Sequence, residues 1–230
     1  MENKPKRILS LDGGGIRGAL TLGFLEKVEE IVRDKENDPS LNLCDYFDLI
    51  GGTSTGSIIA AGLAIGMTAT EIKDKYLEIG DKIFGKKRKW LLNPFKRYKA
   101  EFDFRPLENA LKDIFKDIKI GDDAIKTGLC IVTKRADTLS TWPIINHPQG
   151  KFYNEIRNSD GNIISKANKD FLLREVVRAS TAAPTYFIPQ KIKVDDRDEF
   201  GTFIDGGVSL ANNPALQLFL IGTLKEYPYK

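Results

Sequence analysis

The stretch Tyr46-Phe47-Asp48-Leu49-Ile50-Gly51-Gly52-Thr53-Ser54-Thr55-Gly56-Ser57-Ile58-Ile59-Ala60 constrains the fold of this chain more than any other. It begins with the apolar residues of a short buried strand and ends with the small and apolar residues of a closely packed helix. Between them Gly52-Thr53-Ser54-Thr55-Gly56 fits the pattern G-x-S-x-G. That pattern permits a strand-to-helix turn so sharp that its central serine is held in strained backbone geometry. Gly52 and Gly56 fit this reading because a Cβ at either position would collide with the neighbouring strand or helix. The turn sets the Ser54 hydroxyl at the N-terminus of the following helix, where a partial positive charge favours a developing anion. Ser54 is therefore the candidate nucleophile. Five residues rich in Gly, Ser and Thr also make ordinary loops, so the case needs the rest of the chain.

Strands and helices alternate along the sequence. Arg7-Ile8-Leu9-Ser10-Leu11 is a predicted buried strand, and Asp12-Gly13-Gly14-Gly15-Ile16-Arg17-Gly18 follows it at once. In the next helix Leu20, Phe24, Val28, Ile31 and Val32 recur at helical spacing and mark one apolar face. Thr68-Ala69-Thr70-Glu71 has the spacing of a capping box and opens a helix carrying Ile72, Tyr76, Ile79 and Ile83. Pro106 opens another, with Leu107, Leu111, Ile114, Phe115 and Ile118 as its apolar face. Gly128 to Thr133 is a buried strand, and Thr141 to Ile145 is its hairpin partner, placed at an edge by Pro143. The polar stretch from His147 to Asn168 carries no clear period. A helix through Leu172, Leu173, Val176 and Val177 ends near Ser180, a short strand Thr202-Phe203-Ile204 runs into Asp205-Gly206-Gly207, and a last helix starts near Pro214. This order predicts an α/β domain with helices on both faces of its sheet. Each glycine-rich motif follows a predicted strand, and in such folds sites gather at the carboxyl ends of strands.

Composition removes several classes of function. A net charge of +3 over 230 residues is too small to argue for nucleic acid. No run approaches the roughly 20 apolar residues of a membrane span. Met1 to Arg7 lacks the apolar core of a signal peptide, which makes a cytoplasmic location the expectation. Cys44 and Cys130 sit in apolar contexts and read as buried small hydrophobes. One histidine, His147, leaves no multi-histidine metal cluster.

The chemistry narrows around three motifs. Three successive glycines after a strand leave backbone N–H groups bare, able to surround an oxygen as an oxyanion hole or to cradle a phosphate. The loop has neither the Gly-Lys-Ser/Thr of a P-loop nor the spacing G-x-G-x-x-G. Asp205, at a strand end, is a turn residue or, beside an elbow serine, a base. A Ser-His-Asp arrangement would need His147 in Ile145-Asn146-His147-Pro148-Gln149, a surface-loop sequence, so a direct Ser–Asp pair is more economical.

Four blocks together resemble the patatin-like phospholipases: Asp12-Gly-Gly-Gly-Ile-Arg-Gly18, Gly-Thr-Ser54-Thr-Gly, Arg178-Ala-Ser-Thr-Ala-Ala-Pro184-Thr-Tyr-Phe187, and Asp205-Gly-Gly-Val-Ser-Leu-Ala-Asn-Asn-Pro214. They occur in the family's order from near the start of the chain to near its end. The resemblance implies a three-layer α/β/α sandwich with a mostly parallel central sheet, formed by residues 1–230 as a single catalytic domain. It implies a catalytic dyad of Ser54 and Asp205, an oxyanion hole from the backbone of Gly13, Gly14 and Gly15, and no cofactor or metal. Arg17 is expected to brace the glycine loop, and the Ala-Ala-Pro block to line the site. The implied activity is hydrolysis of fatty-acyl esters of glycerolipids in membranes or micelles, through an acyl-enzyme. Many members continue past the Asn-Pro block, which implies a chain shortened at its C-terminus. Lys86 to Lys99 alternates bases with Trp90, Leu91, Leu92, Phe95 and Tyr98, and suits peripheral contact with an anionic membrane. A solvated loop is the plainer alternative there. For the whole chain the alternatives are a nucleotide- or phosphate-binding protein using the glycine loops, and a silent or partner-gated member of the fold awaiting a protein activator.

Overall fold

The structure, a computed structural model, describes residues 5–84, 102–195 and 200–224. The basic and aromatic stretch Lys86 to Lys99 lies outside these residues. The chain runs β1 (Ile8–Leu11), α1 (Gly18–Glu36), α2 (Leu43–Tyr46), β2 (Leu49–Thr53), α3 (Thr55–Ala64), α4 (Ala69–Phe84) and α5 (Arg105–Phe115). It continues through β3 (Gly128–Arg135), β4 (Thr141–Ile145), β5 (Ile156–Arg157), β6 (Ile163–Ser165), α6 (Leu173–Ser180), β7 (Gln190–Lys193), β8 (Phe200–Asp205) and α7 (Ala215–Thr223).

The sheet has six strands in the order β1-β2-β3-β8-β7, with β4 also paired to β3. Strands β1, β2 and β3 are mutually parallel, β4 and β8 are antiparallel to β3, and β7 is antiparallel to β8, so four of the six strands share one direction. Alternate residues of β3 feed two cores, as the period of a strand requires. Leu129 and Ile131 join the cluster under α1, α3, α4, α5 and α6, while Cys130 and Val132 join Leu218 and Ile221 of α7. Helices thus cover both faces, giving three layers. Burial pushes the Cys130 thiol up to about 12 and raises that of Cys44, so both thiols are inert packing groups.

The register of β3 positions the site. One of its edges carries β4 over Cys130–Lys134. The other carries β2 up to the pair Thr53↔Val132 and then β8 from the pair Asp205↔Thr133. Strands β2 and β8 run in opposite directions and meet end to end along one edge of β3. Ser54 and Asp205, 151 residues apart in sequence, become neighbours through this junction.

Four elements differ from the sequence expectation, the first being the short helix α2, Leu43–Tyr46, which ends on the tyrosine expected to open a strand. Of the expected apolar face of α1, Val28 and Val32 do meet the core, but Leu20, Phe24 and Ile31 face outward, and the helix buries Leu22, Leu25 and Glu29 in their place. Polar anchors fix this rotation. The buried Glu29 carboxylate accepts from the Ala69 N–H at the start of α4 (3.0 Å) and from Arg33 (3.1 Å), while Glu26 pairs with Lys73 (2.6 Å). The stretch from His147 to Asn168 contains the two-stranded β5–β6 hairpin, whose strands are too short to show a period. Strand β7, Gln-Lys-Ile-Lys, buries only Ile192 and gives no apolar run to read. The capping box is present: Thr68 Oγ1 accepts from the Glu71 N–H (3.2 Å), and Glu71 Oε2 accepts from the Thr68 N–H (2.8 Å).

Candidate active site

Ser54 sits between β2 and α3 with φ 55 and ψ −127. A left-handed φ on a residue with a Cβ is strained, and such strain persists only where its surroundings enforce it. Four contacts do so. The Ser54 N–H donates to Ser180 Oγ (2.9 Å), and Ser180 Oγ donates to the Val132 carbonyl (2.7 Å). The Ser54 carbonyl accepts from both the N–H and the hydroxyl of Ser57 (2.8 and 2.6 Å). Close packing completes the elbow. A Cβ on Gly52 would lie 2.1 Å from the Gly56 carbonyl oxygen, and one on Gly56 would lie 2.3 Å from that of Leu11.

The Ser54 hydroxyl donates to Asp205 Oδ2 at 2.6 Å. The other carboxylate oxygen, Oδ1, accepts from the Gly207 N–H at 2.7 Å, which fixes the carboxylate plane. The Asp205 N–H is held by the Ala182 carbonyl (3.0 Å). Burial raises the Asp205 pKa above the ordinary carboxylate range, against the lowering by its bonds from Ser54 and Gly207. A carboxylate so placed is a stronger base than one in water. His147 lies two residues beyond Ile145, which pairs with Cys130 near the start of β3, whereas Ser54 and Asp205 meet beside Val132 and Thr133 toward its end. Its Nδ1 accepts from the Gln149 N–H (3.1 Å) in a local turn.

The loop Gly13–Gly15 faces the same cleft. The Gly13 N–H donates to the Asn212 carbonyl (3.1 Å), and Asn212 Nδ2 donates back to the Gly13 carbonyl (3.2 Å). The Gly14 N–H donates to Thr55 Oγ1 (3.2 Å). Gly15 has φ +56, a conformation that glycine adopts without strain. Its carbonyl accepts from the Tyr76 hydroxyl of α4. Burial raises the Tyr76 pKa, so the phenol remains a donor. The bracing expected of the Arg17 side chain thus comes from Tyr76, Thr55 and Asn212. Arg17 is exposed, its guanidinium has no hydrogen bond or ion pair among the described residues, and it contributes only a backbone bond to the Gly14 carbonyl (3.3 Å).

Gly13, Gly14, Gly15, Ser54 and Asp205 line one cleft of about 750 Å³. Its walls include Ile58, Tyr76, Ile79, Leu107, Tyr186 and Phe187. Arg178 supports the Tyr186–Phe187 wall from behind. Its buried guanidinium lies 5.5 Å from the Phe187 ring centre and 5.4 Å from that of Phe104, and donates to the Ile188 carbonyl (3.0 Å). Burial lowers its pKa to about 10. Sequence reading places Ser180 and Asn212 inside noted blocks but gives them no role. Tyr76 carries no motif at all, only the spacing of an apolar helix face.

A strained serine on a Gly-flanked elbow, bonded directly to a buried aspartate beside a glycine loop, defines a class of α/β site. The family model described as patatin-like phospholipase matches residues 9–219, and the chain belongs to that family. It is 33% identical over 216 residues to a cGAMP-activated phospholipase of Vibrio cholerae, covering 91% of this chain and 55% of that protein. A cGAMP-activated phospholipase of Escherichia coli is 34% identical over 218 residues, covering 93% and 55%. Patatin-like protein 2 of Arabidopsis thaliana is 35% identical over 231 residues, covering 91% and 50%. The chain spans about half the length of these relatives. Among the described residues no helix is long and apolar enough to cross a membrane.

Proposed function

We propose that this chain hydrolyses fatty-acyl esters of glycerolipids, with Ser54 as nucleophile and Asp205 as its only base. The observation that carries the reading is the 2.6 Å bond from the strained Ser54 hydroxyl to buried Asp205, inside a largely apolar cleft. Asp205 Oδ2 takes the Ser54 proton as the serine oxygen attacks the ester carbonyl. The tetrahedral oxyanion is held by N–H groups of the glycine loop and by the N-terminus of α3. Gly13 is committed to Asn212, so the donors assigned here are Gly14, which shares with Thr55, and Gly15. One such donor contributes about 3–4 kcal/mol to transition-state stabilisation. Collapse expels the alcohol, which takes the proton from Asp205 and leaves an acyl-Ser54 ester. Water, deprotonated by Asp205, then releases the fatty acid. The apolar walls receive the acyl chain.

The test is intact-mass labelling with a serine-reactive fluorophosphonate, together with phospholipid turnover. Wild type gains one adduct, Ser54→Ala none, and Asp205→Asn loses turnover by about 10²–10⁴-fold, the range of general-base catalysis. An adduct on Ser54→Ala, or full turnover by Asp205→Asn, would refute the dyad.

The names of two relatives carry a second proposal, that cyclic GMP-AMP raises the activity of this protein. Equal phospholipid turnover with and without that nucleotide rejects it.

A further inference from the structure

Among the described residues, three large apolar side chains of α1 are left uncovered on its outer side. Leu20 is 68% exposed, Phe24 75% and Ile31 54%, at spacings that align them along one side of the helix. Exposed large apolar residues are ordinary when scattered, but a row of them along one side of a helix, broken here only by exposed Lys27, marks a contact surface.

This row does not end at the helix. Ile16, 62% exposed in the turn before α1, both continues it and lines the cleft. Two other segments bring exposed apolar residues to the same rim, Tyr186 after α6 and Val208 after β8. Apolar side chains therefore surround the mouth from three separate stretches of chain, and α1 extends that collar for about 17 Å, from Leu20 to Ile31. Whatever covers the Ile16 end of this surface also sits at the cleft opening. A protein partner or a second copy seated there would exclude substrate, whereas a lipid surface would deliver it. The exposed Arg17, whose guanidinium has no partner among the described residues, stands at the junction of row and cleft, placed to meet a lipid phosphate. The acids of the inner flank of α1 are turned away and occupied, Glu26 by Lys73 and Glu29 by Arg33 and the Ala69 N–H.

We propose that the outward stripe of α1, with the collar it joins at Ile16, is the surface on which this protein docks to a lipid bilayer, laying α1 along the interface with the cleft opening toward the acyl region. The proposal rests on the ester-hydrolase reading of the cleft. Helices that lie in the interface sink their apolar face to about the headgroup–acyl boundary.

The experiment compares wild type with Leu20→Ser/Phe24→Ser, two positions outside the cleft. Partition is measured by co-sedimentation with vesicles of phosphatidylcholine containing about a third phosphatidylglycerol. Turnover of the water-soluble ester p-nitrophenyl butyrate is measured alongside. The double variant is expected to lose partition by at least about tenfold, as removal of two large apolar side chains implies, with soluble-ester turnover unchanged. A Phe24→Trp variant is expected to shift its emission to the blue on vesicle addition. Equal partition of wild type and double variant, absence of wild-type partition, or an unshifted emission from the Phe24→Trp variant overturns the docking surface. So does a wild-type dimer in sedimentation that the double variant dissolves, because the face then belongs to a second copy. Failure of the hydrolase reading looks different: wild type turns over no soluble ester and takes no fluorophosphonate, whatever its partition.

Discussion

Two of the glycine-rich turns that face the cleft, the Ser54 elbow and the Gly13–Gly15 loop, are glycine-rich for different physical reasons. At the elbow, glycine is demanded by contact. A Cβ on Gly52 or Gly56 would fall within 2.3 Å of backbone carbonyl oxygens that belong to regular structure and have nowhere to go. In the Gly13–Gly15 loop, space is not the constraint at the positions nearest the proposed oxyanion. A Cβ on Gly14 would meet only the Arg17 Cβ at 3.6 Å, and one on Gly15 would meet nothing within 4 Å. Glycine there supplies a backbone conformation, φ +56 at Gly15, and N–H groups free of side-chain cover. The elbow is a packed hinge whose strain falls on its one non-glycine centre, Ser54. The loop is an open strap held at its edges by Asn212, Thr55 and Tyr76. The same letters in sequence therefore encode rigidity by crowding in one place and rigidity by tethering in the other.

Breaking the crowded side is expected to have the largest effect. Gly56→Ala forces either β1 or α3 to move, which costs about 3 kcal/mol or more. Urea unfolding should show that loss, and turnover should vanish with it. If Gly56→Ala unfolds at the wild-type midpoint, the elbow is not held by contact. Ser180→Ala attacks the same side without a collision. It leaves the Ser54 N–H and the Val132 carbonyl without their shared partner, a loss of about 2 kcal/mol for buried groups. Because Ser180 is fully buried, lies outside the cleft lining and bonds the Ser54 N–H and the Val132 carbonyl, its expected role is positioning. Misplacing Ser54 by about 1 Å should lower turnover by roughly 10²-fold with KM unchanged. Recovery by Ser180→Thr, which restores the hydroxyl, separates positioning from packing. Equal loss in both variants would assign Ser180 to packing alone.

These contrasts explain what could be read from the sequence. Ser54, Asp205 and the glycines were legible because each sits in a short contiguous block whose composition is dictated by local backbone geometry. The alternation of strands and helices was legible for a similar reason, since periods of 2 and 3.6 are local properties. What escaped is long-range. Nothing in the sequence says that β2 and β8 meet end to end on one edge of β3, because register is set by the whole sheet. Ser180 matters only because of that junction, and Tyr76 only because α4 crosses the strap. The outward face of α1 was legible as apolar but not as outward. Its rotation is fixed by Glu29, a charged residue that periodicity counts as surface and the structure buries against the start of α4.

Loosening the tethered side is expected to do less. Tyr76→Phe removes the donor to the Gly15 carbonyl and leaves the ring in place, a loss of about 1 kcal/mol. The strap then relaxes without unfolding. Turnover should fall by about tenfold, less than the roughly 10²–10³ typical of losing an oxyanion donor outright. KM should hold, since the phenylalanine ring keeps the place of the Tyr76 ring in the cleft wall. A fall comparable to that of Ser180→Ala would mean that strap and elbow are equally rigid, and the contrast between them would disappear.

The smallest expected effect is none, at His147. If Asp205 is the base, kcat/KM for a soluble ester rises with pH through a single ionisation, that of Asp205. The sign follows from its environment. Burial favours the neutral acid, so its pKa lies above the ordinary carboxylate range and activity is lost as pH falls through that raised value. Histidine makes no contribution, because His147 lies toward the other end of β3, in its own turn. His147→Gln should therefore leave both the height and the acid limb of the profile where they are. Loss of a limb near the ordinary histidine value in that variant would return the imidazole to the mechanism, and the elbow would then need a third partner that its present bonds do not include.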